Sequence, residues 1–84
     1  MEATVKYISY LVNHLLAQKT AEEMEVVLRE LFTSSELIDV ANRLQIFKML
    51  EQGVPHSQIA EKLGVGIATV TRGSNAIKSR KALK

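Results

Sequence analysis

An 84-residue chain has room for one domain and buries too little apolar surface to be comfortably stable as a monomer. With no cysteine for a disulfide or a zinc staple, self-association is the remaining way to complete a core, so the length predicts a dimer. The formal net charge of +2 hides an asymmetry: residues 1–53 carry five Lys/Arg against eight Asp/Glu and residues 54–84 six against one, and only the second segment has the sign that attracts phosphates.

The first helix is expected from Val5, Ile8, Val12, Leu15 and Leu16, which recur at helical spacing, with Tyr7 and Leu11 widening the stripe. The apolar run over residues 7–16 is broken by Ser9, Asn13 and His14 and is too short to cross a bilayer. No secretory leader pattern is recognisable at the start, so a cytoplasmic protein is expected. Gln18 and Lys19 interrupt the pattern. Thr20 then opens a capping box, its hydroxyl taking an early backbone N–H while Glu23 reaches back to the cap. In the second helix Met24, Val27, Leu28, Leu31 and Phe32 stand at i, i+3, i+4, i+7 and i+8, a clear amphipathic pattern.

Thr33 and Glu36 form a second capping box, opening a helix with apolar positions Leu37, Val40, Ala41, Leu44, Phe47 and Leu50. It should stop near Gly53, which suits a left-handed cap, and Pro55 fits the first turn of the next helix. A short fourth helix runs to about Leu63, Gly64 ends it, and a fifth begins around Ile67. Strand-like alternation, linkers and repeats are absent. The expected architecture is therefore all-α: five helices in one domain over residues 1–84, with a helical dimerisation part over 1–53 and a helix-turn-helix part over 54–84.

Within residues 59–70 the spacing is informative. Small Ala60 stands where two helices must touch, Gly64 where the turn needs positive φ, and Val70 six residues further on. Ile59, Leu63 and Val65 supply the apolar seam of a helix-turn-helix, leaving the outer face of its second helix for base edges in the major groove. An ordinary helical hairpin is the plainer alternative. The second helix is rich in β-branched residues, Ser, Asn and Gly, which are poor helix formers, so its order depends on its neighbours. A ligand packing beneath it would shift its population and raise DNA affinity. Gly73 stands where a bulky apolar residue is usual in such motifs, leaving either a close backbone approach or room for a small molecule.

The run LGVGIATVTRGSNAIK, over residues 63–78, resembles the signature of the Trp repressor family, and weaker similarity extends back through residues 40–50 to Thr33. The resemblance implies an intertwined homodimer that binds double-stranded operator DNA. It also implies a corepressor, L-tryptophan, gripped by Arg72 on its carboxylate and Arg43 stacked on its indole, with Thr33, Ile46 and Gly73 lining the pocket. By the same resemblance Gly66, Ile67, Ala68, Thr69 and Thr71 face the bases, with Lys78 on phosphate and readout leaning on bridging waters, a mode inherited from the family rather than read from these residues. Departures are visible. Ala76 stands where tryptophan-binding members carry serine, Ser57 and Ala60 replace basic residues, and the turn over residues 53–55 is one residue shorter. The family pattern also continues with a further helix beyond Lys84.

Plainer readings stand beside these. Arg43 could pair with Asp39 or Glu36 at helical spacing. His14 reads as a partly exposed helix residue, His56 as either a surface position or a phosphate contact, and Arg80, Lys81 and Lys84 as a solvated basic tail or further phosphate contacts. Two histidines, no cysteine and no carboxylate pair beside a nucleophile predict no enzyme, no metal site and no cofactor. The expected function is a ligand-controlled transcriptional repressor. The alternatives are a ligand-independent dimeric DNA binder and a helical protein-interaction module.

Overall fold

The computed structural model describes the backbone of residues 2–82 and the side chains of residues 3–80. Over that range the chain is all-α: α1 (Glu2–Leu16), α2 (Ala21–Leu31), α3 (Ser34–Glu51), α4 (His56–Leu63) and α5 (Ile67–Ala82). Among the described residues there is no strand, and no helix is long and apolar enough to cross a membrane.

Short-range chemistry sets the boundaries. Thr20 is extended and its Oγ1 accepts the Glu23 N–H at 3.1 Å. The Glu23 carboxylate accepts the Lys19 N–H at 2.8 Å, so the return bond reaches one residue past the expected cap. Thr33 and Glu36 make the reciprocal pair, with Thr33 N–H donating to Glu36 Oε1 at 2.9 Å and Glu36 N–H to Thr33 Oγ1 at 3.1 Å. α3 closes through Gly53 at φ +81°, with the Val54 N–H reaching back to the Met49 carbonyl at 3.0 Å. Pro55, at φ −61°, is the N-cap of α4, and its carbonyl accepts from both Gln58 and Ile59 at 3.1 Å.

The second box carries a pH dependence. Hydrogen bonds from Thr33, its backbone N–H first and its side chain second, hold the Glu36 carboxyl below its usual value of 4.5. A carboxylate with a depressed folded value stabilises fully above its unfolded value, and that stabilisation is lost as pH falls through the folded one. Thermal unfolding followed from pH 6 downward should therefore lose less in Glu36→Gln than in the parent chain once the pH drops below 4.5. Parallel losses in both would remove Glu36 as a source.

Two compact units are present, Met1–Leu37 and Ile38–Lys84. In the first, Val27 is buried and Leu15, Met24 and Leu28 are half-buried. Much of α1 is uncovered: Val5, Tyr7, Ile8, Tyr10, Val12 and Leu16 are all exposed, with the two tyrosine rings 6.4 Å apart between centroids. His14 is exposed, as its place on a helix suggested.

The second unit is built around Ile46, Ile59 and Val70, all with less than 2% of their surface exposed, and Met49, Leu50, Val54, Ala60, Leu63 and Val65 pack against them. Burying three β-branched side chains removes about 2 kcal/mol each of apolar hydration, which is what fixes α4 and α5 against the end of α3. Here α3 differs from expectation. Val40, Ala41 and Leu44 are exposed, whereas Ile46, outside the predicted stripe, is the buried residue. Apolar and polar residues are spread around the whole helix, so periodicity alone does not say which side meets α4 and α5.

Candidate functional site

α4 and α5 pack against each other across a three-residue turn. Gly64 takes φ +67°, ψ 33°, and its N–H and that of Val65 return to the Ala60 carbonyl, closing α4 tightly enough for α5 to start three residues later. Ile59 and Val70 are wholly buried between the helices, with Ala60, Leu63 and Val65 half-buried around them, as a helix-turn-helix seam requires. α5 contains poor helix-forming residues, yet it is continuous over 16 residues. Its buried stripe of Val70, Gly73 and Ile77 supplies the tertiary packing that its own composition does not.

The outer side of α5 is open. Ile67 is 52% exposed, and Ala68, Thr71 and Lys78 are exposed. The Thr71 hydroxyl donates to the Ile67 carbonyl at 3.1 Å, and that of Thr69, half-buried, accepts from Arg72 Nη2 at 3.3 Å. Gly66 immediately precedes α5, its carbonyl accepting from Thr69 and Val70. A side chain added at Gly66 would meet no atom within 4 Å, and its φ is not positive. Neither the turn nor the packing requires glycine there. Arg80 forms an ion pair with Glu51 at 3.6 Å, while Lys84 and the Lys81 side chain lie outside the described residues. His56, half-buried, opens α4.

Behind α5 lies a cleft of about 500 Å³ in the second unit. Asp39, Asn42, Arg43 and Phe47 line it from α3, Val65 from the turn, and Thr69, Arg72, Gly73 and Ala76 from α5. Of the residues predicted to hold a ligand, Arg43, Arg72 and Gly73 thus border one space. Ile46 lies beneath them, 1% exposed: a Cβ on Gly73 would stand 2.7 Å from Ile46 Cγ2 and 3.6 Å from Phe47 Cε1. The missing side chain at Gly73 is therefore explained by the close passage of α5 over α3. Thr33 belongs to the first unit, where its side chain caps α3. Arg43 pairs with neither Asp39 nor Glu36, since the ion pairs among the described residues are Arg29–Glu25 and Arg80–Glu51. Sequence reading missed Asp39, Asn42 and Phe47 as lining residues. Asp39 and Phe47 stand at i−4 and i+4 from Arg43, on its side of α3, whereas Asn42, its immediate neighbour, is not related to it by the helical repeat. No group of acidic, His or Cys side chains suited to a metal occurs among the described residues.

The family model for Trp repressor protein matches residues 6–82, nearly the whole chain and both halves of the motif. The chain belongs to the Trp repressor family. Among relatives of that family, the Trp operon repressor homolog of Vibrio cholerae is 47% identical over 60 residues, covering 70% of this chain and 58% of the relative. The Trp operon repressor homolog of Chlamydia trachomatis serovar D is 46% identical over 61 residues, covering 67% and 65%. That of Aliivibrio fischeri is 38% identical over 82 residues, covering 94% and 76%. The match spans only 58–60% of the length of the first Vibrio members of the family. No solved structure matches the chain.

Proposed function

We propose that the chain is a transcriptional repressor that binds double-stranded operator DNA as a homodimer and is controlled by a small aromatic amino acid such as L-tryptophan. The observation that carries the reading is the α4–Gly64–α5 motif, whose core side is sealed by Ile59 and Val70 while Ile67, Ala68 and Thr71 stay open on the other side. Gly66, Ile67, Ala68, Thr69 and Thr71 would meet the major groove and Lys78 a phosphate, in a segment whose charge favours nucleic acid. The uncovered apolar residues of α1, together with Ile38, Val40 and Leu44 of α3, support a second copy as the partner that completes the fold. Membership of a repressor family, rather than an enzyme family, agrees with this.

In the cleft, Arg72 would pair with the ligand carboxylate through parallel hydrogen bonds and Arg43 would stack on its ring, with Gly73 and the underlying Ile46 closing the floor. A ligand wedged between α3 and α5 would hold the reading helix in one position and so raise its affinity for DNA. The ligand-independent reading draws support from one observation: Ile46 already accounts for Gly73.

Gel-shift titration of promoter fragments with and without millimolar tryptophan tests both. The proposal expects retardation that strengthens with tryptophan and weakens steeply with salt. In Arg72→Ala the tryptophan response should vanish while the circular dichroism stays unchanged. Retardation indifferent to tryptophan would leave a constitutive binder, and none even at low salt would remove DNA as the partner.

A further inference from the structure

Asp39 lines the same cleft as Arg43 and Arg72, one helical turn before Arg43 on the same side of α3. It is the carboxylate of that lining, and it is engaged neither by Arg43 nor by Arg72 among the described ion pairs. Two guanidiniums alone would draw any aryl carboxylate into the cleft. A fixed negative charge on the same wall repels a simple anion and rewards a ligand that carries a cation beside its carboxylate. On the α5 side Ala76 offers no hydrogen-bonding group, and Thr69 offers only a neutral hydroxyl that already accepts from Arg72, so the charged partner for such a cation is on α3.

We propose that Asp39 is the residue that selects for an α-ammonium group, so that the cleft takes a zwitterionic amino acid in preference to the same aryl acid without its amine. This rests on the corepressor reading above. The apolar floor around Phe47 then receives the ligand's side chain, Arg72 its carboxylate and Asp39 its ammonium.

Isothermal titration of the full chain with L-tryptophan and with indole-3-propionate, which keeps the ring and carboxylate and lacks the amine, tests it. The parent chain should prefer tryptophan. Asp39→Asn should weaken tryptophan binding by about tenfold while leaving indole-3-propionate unchanged or tighter, so the preference collapses; Asp39→Glu should keep it. Asp39 is exposed, and matched circular dichroism checks that the fold is retained. If Asp39→Asn alters both ligands equally, or neither, the role of Asp39 is overturned while the corepressor reading stands, provided that Arg72→Ala loses both ligands. If neither ligand binds the parent chain, the corepressor reading falls and this inference with it.

Discussion

Gly73→Ala is expected to destabilise the protein by about 1–3 kcal/mol, although the same change in an open helix interior stabilises by about 1 kcal/mol. The sign reverses because the new methyl would stand 2.7 Å from Ile46 Cγ2, and Ile46, only 1% exposed, is held by the core around Ile59 and Val70. Either α5 lifts away from α3 or Ile46 leaves its rotamer. Lifting α5 also displaces Arg72 relative to Arg43, so tryptophan response and DNA retardation should fall together. Ile46→Leu removes the offending β-branch at constant volume, and the double variant should regain most of the lost stability. Urea unfolding at fixed protein concentration measures all four chains, the concentration being held because association contributes to apparent stability. A Gly73→Ala chain as stable as the parent would show that α5 does not sit this close to α3.

Ile59→Ala should cost about 2–5 kcal/mol, the range for deleting a fully buried aliphatic side chain that leaves a cavity. Ile59 has no exposed surface and stands where α4, α5 and the end of α3 meet, so no neighbour can close the space without moving the turn at Gly64. Against a total stability of about 5–15 kcal/mol for an ordinary domain, that loss should abolish cooperative unfolding of the motif or lower its midpoint sharply. Leu63→Ala, at a half-buried position of the same seam, should cost clearly less. Amide exchange would localise the effect: protection in residues 38–84 should collapse first. An Ile59→Ala chain that unfolds like the parent would refute the seam.

The site was legible where its chemistry is local or its signature long. Gly64 and Val70 mark the turn and its seam by steric necessity, and the residues of 63–78 carry the family pattern, so the motif and its open face could be read directly. Arg43 and Arg72 came from the resemblance, Gly73 first from its odd place in the motif, and all three border a single cleft. Asp39, Asn42 and Phe47 were not visible as site residues because nothing in their own segment distinguishes the side of α3 that faces α5.

The sequence by itself determined the helices and their ends, because caps act over three or four residues: Thr20 with Glu23, Thr33 with Glu36, Gly53, Pro55 and Gly64 each hold their boundary through bonds to near neighbours. Only the tertiary structure decided which side of α3 carries α5, and with it the burial of Ile46, the close passage at Gly73 and the company of Arg43. The reason is physical. Contacts between segments some thirty residues apart depend on how two helices cross, and a helix with apolar residues on all sides leaves that crossing undetermined until its neighbours are in place.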